Sequence, residues 1–265
     1  MQLKGAVTAI TGASRGLGRE LALALAREGC HLRVCARNKA LLQSLAVEVA
    51  GLGVDYQAFP LALTGAGASF ETVISTERVD ILINNAGMAH PMKPLDAFII
   101  AELYELIELN LLAPVALMQA VIPGMNNRGQ GVIVNICSMA GRRAIKNLSV
   151  YCGSKFALRG ITEAVAQELE GSGVSCFSVS PGGMNTQTRS DLFGVANAQR
   201  QQEPAVVAAY IVQALAGRLE VPNGADLVVR DGEAWVILPE LWELGAIIPA
   251  IRRVIHNRSR KGAVG

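Results

Sequence analysis

The sequence has few charged residues and no excess of either sign. Asp, Glu, Lys and Arg make up 17% of the 265 residues, and the formal net charge is only +2. This balance gives no basis for a nucleic-acid partner, which would require a basic surface. Hydrophobic residues account for 51% of the chain. Such a composition is typical of one large α/β domain whose sheet is buried on both faces.

We also expect no metal site, no secretion signal and no membrane span. The five cysteines stand singly in or beside predicted core elements, so we expect free buried thiols and a cytoplasmic protein without a metal site. The N-terminus leads directly into a predicted strand, so we expect no signal peptide. The most apolar late segment, 235–251, is interrupted by charged residues and by Pro239 and Pro249, so no membrane span is expected.

Tyr151 and Lys155 stand four residues apart in a segment with helical periodicity. On a helix the two side chains share one face, one turn apart. Free tyrosine has a pKa near ~10, and a nearby cation favours the phenolate and lowers that pKa. A phenol tuned in this way can exchange a proton with a carbonyl or alcohol oxygen. Alone, the pair is more often a surface tyrosine beside a solvated lysine, so the interpretation depends on the other motifs.

A glycine-rich turn follows the first predicted strand, at residues 7–11, and precedes a predicted helix. Strand, turn and helix together are typical of a phosphate-binding unit, because glycines let the backbone approach a pyrophosphate at the helix N-terminus. The spacing is G-x-x-x-G-x-G. We expect the dinucleotide to be bound here by Gly12, Ser14, Arg15, Gly16, Leu17 and Gly18.

The second predicted strand ends at Arg37, where a dinucleotide-binding protein selects its cofactor. An acidic residue here would bind the ribose 2′-hydroxyl, whereas arginine accommodates a 2′-phosphate. Ala36 precedes Arg37, and Arg15 supplies a second guanidinium. Two arginines can hold a phosphate with charge-assisted hydrogen bonds. The sequence therefore predicts NADP(H) in preference to NAD(H); the alternative is that both arginines are solvated.

The rest of the chain alternates predicted strands and helices without a break in composition. This alternation predicts a single doubly wound α/β domain with a parallel, seven-stranded sheet. Polar or glycine-containing motifs follow three of the later strands, where ligands bind in open α/β sheets. A long helix over 101–125 contains Asn110, and a loop is expected from the sixth strand to about residue 203. The motifs that follow strands are Asn84-Asn85-Ala86-Gly87, Ser138 and Pro181-Gly182.

Together these motifs resemble the short-chain dehydrogenase/reductase family in its compact single-domain form, close to bacterial 3-oxoacyl-carrier-protein reductases. The similarity covers about residues 5–232, with 233–265 as a C-terminal extension. It implies a Rossmann-type fold and hydride transfer between NADP(H) and a small-molecule carbonyl or alcohol substrate. The intact motifs favour this enzyme over the alternative, a non-catalytic NADP(H)-binding sensor or scaffold protein.

The resemblance also implies individual roles. Tyr151 would be the acid/base, Lys155 would hold the nicotinamide ribose and lower the pKa of the tyrosine, and Ser138 would orient the substrate carbonyl. Asn110 would hold a water molecule that continues a proton relay from Lys155. The cofactor would also be contacted by Asn84, Ala86, Gly87, Pro181 and Gly182. Thr186 would bond the carboxamide of the nicotinamide.

Three features depart from the family pattern. The acidic residue expected beside the adenine is replaced within Leu61-Ala62-Leu63, the segment 64–77 is short, and the usual terminal Gly-Gly is Asp231-Gly232. None of them involves the predicted catalytic residues. We therefore expect them to affect cofactor affinity more than chemistry.

Some expectations concern surfaces and partners. The helices over 101–125 and 151–169 resemble the subunit-pairing surface of the family, so we expect a homodimer or homotetramer. The extension 233–265, apolar and then basic, has three interpretations: packing on its own domain or on a partner subunit, covering the substrate loop, or peripheral contact with an anionic membrane. We expect the substrate pocket to be built from residues 88–90, 139–148 and 184–203, with no role for His90. Arg142 and Arg143 are expected to be solvated; the alternative is that they meet an acidic group or a carrier protein.

Overall fold

A computed structural model describes residues 1–65, 70–239 and 254–256 of the chain. Its centre is a sheet in the order β3-β2-β1-β4-β5-β6-β7-β8-β9. The strands are β1 (Val7–Thr11), β2 (His31–Cys35), β3 (Tyr56–Phe59), β4 (Ile81–Asn84), β5 (Gly131–Ile136), β6 (Val174–Pro181), β7 (Asp226–Arg230), β8 (Glu233–Ile237) and β9 (Val254–His256). The helices are α1 (Gly16–Arg27), α2 (Lys39–Val49), α3 (Phe70–Ser75), α4 (Ile100–Ile107), α5 (Ala113–Arg128), α6 (Ser149–Glu168), α7 (Gln187–Phe193), α8 (Val195–Ala198) and α9 (Pro204–Leu215).

The predicted doubly wound α/β class is confirmed. Strands β1 to β7 are parallel, and the strand order reverses between β1 and β4. Adjacent residues of one strand enter different cores: Ile10 packs in the cluster with α1 and α9, and Ala9 packs in the cluster with α5. Because successive strand residues point to opposite faces, both faces are covered, which explains the apolar strands.

The predicted count of seven strands is wrong, because two antiparallel strands extend the sheet beyond β7. Asp231 and Gly232 have φ of 52° and 80° and form the two-residue turn between β7 and β8. Asp-Gly is favoured in such hairpins because both positions need positive φ. The departure from Gly-Gly is therefore a hairpin turn that begins the extension. The basic tail lies outside the described residues. The two interpretations that depend on it, covering of the substrate loop and contact with an anionic membrane, therefore stay predictions.

The long helix predicted over 101–125 is present but contains a π turn at Glu108–Leu112. Pro114 has no N–H to donate to the carbonyl of Asn110, and the N–H of Ala113 bonds the carbonyl of Glu108, five residues back. By length and composition alone, the run Ile100–Arg128 could cross a membrane, although the sequence analysis predicted no span. Core helices pass the same criterion, and Leu117 and Val121 of this run pack against the sheet.

Three further expectations can be compared with the described residues. Between β3 and β4 these residues contain one helix, Phe70–Ser75, and 66–69 lie outside them. The loop expected after β6 instead contains two short helices, α7 and α8. All five cysteines are buried and none forms a disulfide bond, in agreement with the sequence.

Candidate active site

A cleft of about 930 Å³ lies at the carboxyl ends of the strands, where the order reverses between β1 and β4. This position is the usual ligand crevice of a doubly wound sheet. The segments after β1, β4, β5 and β6 meet there. The predicted site residues that line it are Gly12, Ser14, Arg15, Gly16, Leu17, Arg37, Ala86, Gly87, Ser138, Tyr151, Lys155, Pro181, Gly182 and Thr186.

The turn after β1 has the backbone shape that the glycines predicted. Gly12 and Gly16 have φ of 68° and 55°, a region that side chains rarely adopt. A Cβ at Gly12 would lie 2.9 Å from Nδ2 of Asn85. Helix α1 begins at Gly16, and no side chain caps its first N–H groups. An uncapped helix N-terminus at a cleft suits a pyrophosphate, so these residues fit the phosphates of a dinucleotide.

Gly18 does not line the cleft. It is buried in α1, where a Cβ would clash with the carbonyl of Gly12 and with Asn85. Its hydrogen atom allows helix and turn to approach each other closely. Its predicted contact with the cofactor is therefore corrected to a packing role that shapes the turn.

The structure separates the two asparagines after β4, of which the sequence analysis named Asn84 as a cofactor contact. The side chain of Asn84 is buried, and its Nδ2 donates to Oδ1 of Asn135 at 2.8 Å. Asn85 does line the cleft, and its Nδ2 donates to the carbonyls of Thr11 at 2.9 Å and Gly12 at 3.3 Å. The hydroxyl of Thr11 accepts in return from the N–H groups of Asn85 and Ala86. These bonds join the two strand ends that flank the crevice.

Two exposed guanidinium groups, those of Arg15 and Arg37, also line the cleft. Neither forms an ion pair with a carboxylate in the described part of the chain. Leu61 and Leu63 line the same cleft, whereas the exposed Ala62 does not. The end of β3 thus offers an apolar surface in place of an acidic residue.

Tyr151 lies in the first turn of α6, half-buried at the cleft that Ser138 also lines. Burial raises the pKa of Tyr151, and this effect exceeds the lowering by the nearby Ser138 hydroxyl. The neighbouring thiols of Cys137 and Cys152 raise the pKa further. The expected lowering by Lys155 is not found, because burial dominates and the ammonium is directed elsewhere.

Lys155 is only 4% exposed, and its Nζ donates to the carbonyl of Ile136, at the end of β5, at 2.9 Å. Burial lowers the pKa of Lys155. A Cβ at Gly87 would lie 3.4 Å from this Nζ and 3.2 Å from Oδ1 of Asn110. Gly87 therefore leaves the space in which the ammonium and the amide come together.

Asn110 sits in the π turn and is fully buried. Its Oδ1 accepts from the N–H of Met88 at 2.8 Å, and its Nδ2 donates to the carbonyl of Met88 at 2.8 Å and to Oγ of Ser154 at 3.2 Å. The side chain does not line the cleft. It positions the loop after β4, and the expected water-holding role stays a prediction.

The segment after β6 closes the opposite wall. The hydroxyl of Thr186 caps α7 by accepting from the N–H of Arg189 at 3.3 Å, and a Cβ at Gly16 would lie 3.4 Å from the methyl of Thr186. The glycine turn and the α7 segment thus face each other across the cleft. The apolar side chains on the substrate side are Met88, Met139, Ile145, Leu148, Met184, Leu192 and Phe193.

Two predictions about polar residues near the substrate side have different outcomes. His90 bonds the carbonyl of Glu102 at 2.9 Å and stacks edgewise on Phe98, and its lack of a catalytic role stays a prediction. Arg142 is not solvated, because it forms an ion pair with the buried carboxylate of Asp226. Arg143 is exposed and lines the cleft. The described residues contain no cluster of His, Cys, Asp and Glu that could hold a metal.

This fold, with a phosphate-binding turn and a Ser-Tyr-Lys group beside it, defines a class of nicotinamide-dependent oxidoreductases. The family model of short chain dehydrogenases matches residues 6–194, and the chain belongs to that family.

Three relatives agree with this assignment. Mouse dehydrogenase/reductase SDR family member 7B is 35% identical over 192 residues, which are 69% of this chain and 59% of the mouse protein. The ketoacyl reductase HetN of Nostoc sp. is 35% identical over 196 residues, 71% of this chain and 68% of HetN. A short-chain dehydrogenase from Sphingobium yanoikuyae, solved in complex with NADPH, is 30% identical with a TM-score of 0.76, covering 80% and 85% of the two chains. The chain thus spans about three fifths of the length of the mouse relative.

We predict that Gly12→Ala lowers nucleotide affinity by at least about tenfold, because the added Cβ meets Asn85 and the backbone has positive φ. Isothermal titration calorimetry measures the affinity, with the melting temperature recorded alongside. Gly51→Ala is the control, since a Cβ there would meet nothing within 4 Å. Unchanged nucleotide affinity in Gly12→Ala would contradict the assignment of the turn.

Proposed function

We propose that the protein is an NADPH-dependent carbonyl reductase that also catalyses the reverse oxidation of the alcohol, with Tyr151 as the acid/base. The observation that carries this proposal is that Ser138, Tyr151 and the buried Lys155 line one cleft together with an uncapped helix N-terminus. When bound, the nicotinamide supplies or accepts the hydride.

Tyr151 would donate the proton during reduction. Because burial raises its pKa, the phenol holds its proton at neutral pH, as a general acid must. Ser138 lines the same cleft and is near enough to the phenol to lower its pKa, so a carbonyl oxygen placed between them would receive two hydrogen bonds. These bonds strengthen as the oxygen becomes negative, which favours hydride arrival at the carbon.

Lys155 would hold the nicotinamide ribose. An ammonium has three donors, and only the bond to the Ile136 carbonyl is formed within the described chain. The remaining donors lie beside Gly87, on the wall of the cleft. Asn110 keeps this wall in place through its bonds to Met88.

The substrate side of the cleft supports an apolar carbonyl compound. Met88, Ile145, Leu148 and Phe193 present no charge to it. A 3-oxoacyl chain is one compound of this chemistry, and HetN is named as a ketoacyl reductase. We propose this class as the starting point for substrate screening.

We also propose that the protein forms a homodimer or homotetramer. A cytoplasmic location is proposed as well. Ile99, Ile100 and Tyr104 are 65%, 63% and 70% exposed around the start of α4, and Phe156 is exposed on α6. Apolar side chains grouped in this way are typical of a surface that another subunit covers. The mass in solution distinguishes a monomer from a dimer or tetramer.

The direct test is a panel of ketones assayed with NADPH, with wild type and Tyr151→Phe compared. We expect turnover in wild type and a loss of at least about 100-fold in the variant, with NADPH affinity retained because the ring remains. A folded wild type that binds NADPH but reduces no ketone would favour the sensor or scaffold alternative.

We predict opposite pH dependences for the two directions. With the pKa of Tyr151 raised, the protonated acid persists through neutral pH, so the kcat/KM for reduction should be flat there and fall at alkaline pH. Alcohol oxidation needs the deprotonated phenol and should accelerate as pH rises. Initial rates of both directions across pH measure this. Identical profiles in the two directions would contradict Tyr151 as the titrating group.

Cofactor preference is predicted to depend on Arg37 and Arg15. A charge-assisted hydrogen bond is worth about 1.5–3 kcal/mol, so Arg37→Gln should weaken NADPH binding by about 10- to 100-fold and leave NADH affinity within about twofold. Arg200→Gln removes an exposed arginine outside the cleft and serves as the control. Calorimetry with both nucleotides measures the ratio, and a wild type that binds NADH as tightly as NADPH would contradict the prediction.

A further inference from the structure

Arg189 is a cation in the cleft for which the proposed chemistry gives no use. It lies on α7, is half-buried and lines the cleft. Its Nε donates to Oδ1 of Asn197 at 2.8 Å, and its guanidinium carbon lies 3.9 Å from the centroid of the Phe193 ring. A neutral amide and an aromatic face fix the orientation of the group but do not neutralise its charge.

No carboxylate of the described residues pairs with Arg189. Asp191, on the same helix, is exposed and accepts from Gln187 at 2.7 Å instead. Burial lowers the pKa of Arg189, as expected for a partly desolvated cation without a counter-ion. The two nitrogens at the end of its guanidinium have no hydrogen-bond partner among the described residues and stay available to a ligand.

The position of Arg189 relates it to the reacting centre. Phe193, on which the guanidinium stacks, packs in one apolar cluster with Tyr151, Ile145 and Leu148. Together with Tyr151, these apolar residues line the cleft that Arg189 also lines. A ligand with its oxygen at Tyr151 would run along this apolar surface towards the guanidinium.

The other charges of the lining favour the same sign of ligand. Arg143 is exposed in the same cleft and has no ion pair with a described carboxylate. Of the two acidic residues that line the cleft, Asp231 is paired with Arg230 at 2.9 Å, and Glu105, on α4, is exposed. With Arg15, Arg37 and Lys155 assigned to the nucleotide, the positive charges of Arg189 and Arg143 remain for the substrate.

We infer that Arg189, assisted by Arg143, forms a subsite for an anionic group of the substrate, a carboxylate or a phosphate, separated from the reacting carbonyl by an apolar segment. The inference deepens the proposed reductase function and rests on it for the reacting carbonyl. A guanidinium fork matches the two oxygens of either anion, and a partly buried site strengthens the attraction.

The test compares pairs of probes with the same carbon chain, of which one member is anionic and the other is neutral. Straight-chain keto acids of increasing length are paired with their methyl esters, and keto-alkyl phosphates of the same chain lengths are paired with the corresponding keto alcohols. Binding of each to the NADP⁺-loaded protein is measured by calorimetry, and kcat/KM is measured wherever NADPH-dependent turnover occurs. The two pairings separate a carboxylate from a phosphate as the preferred anion.

In wild type we expect the anionic member of at least one pair to bind about 10- to 100-fold more tightly than its neutral partner. Arg189→Gln should remove that preference and leave the neutral partner within about twofold, and Arg189→Lys should restore part of it. Arg143→Gln should cause a smaller loss, up to about fivefold, because its group is exposed. Arg200→Gln is the control and should change nothing.

Two results would overturn the subsite. One is a wild type that binds every neutral partner as tightly as its anion. The other is an Arg189→Gln variant that loses affinity for neutral and anionic probes equally, because a merely structural role gives that result. Failure of the reductase function would look different: anions would still bind with charge preference, but no ketone would be reduced.

Discussion

Burial of two ionisable groups at one edge of a parallel sheet is the constraint on which the site depends. Burial raises the pKa of the Tyr151 phenol and lowers the pKa of the Lys155 amine, so both uncharged forms gain relative to water. Two neighbours oppose this effect: the Ser138 hydroxyl, which lowers the pKa of the phenol, and the Ile136 carbonyl, which accepts from the ammonium. Under the proposed function, the positive charge of an oxidised nicotinamide would add to them and make the phenol a better base in the oxidation direction.

The rest of the fold supports this edge. Thr11 and Asn85 join the ends of β1 and β4, so the glycine turn and the wall of the cleft stay in register. The π turn before Pro114 places Asn110 against Met88, next to the ammonium of Lys155. Buried polar groups need partners, and here their partners are the segments that form the site. Changes in Asn110 are therefore expected to disturb the cleft without touching a ligand.

Much of the fold and of the candidate site was predictable from local sequence patterns. The glycine turn, the i, i+4 pair and the alternation of strands and helices depend on short-range rules, and the structure brings Ser138, Tyr151, Lys155 and the glycine turn together. Pattern could not tell whether Asn84 or Asn85 faces the cleft, because that choice depends on strand register. The direction of the Tyr151 pKa shift depends on burial, and the Arg142 pairing with Asp226 joins residues far apart in sequence. The Asp231-Gly232 hairpin was readable but was interpreted through the family pattern instead.

The most direct test of the central claim is the pKa of Tyr151 itself, measured by ultraviolet difference titration of wild type against Tyr151→Phe, with and without NADP⁺. The account predicts a raised pKa for the free protein and a fall of about one unit or more when NADP⁺ binds, since a nearby positive charge shifts a phenol by this amount. The fall should be smaller in Lys155→Met. A pKa that NADP⁺ leaves unchanged, in a protein shown to bind it, would contradict the account.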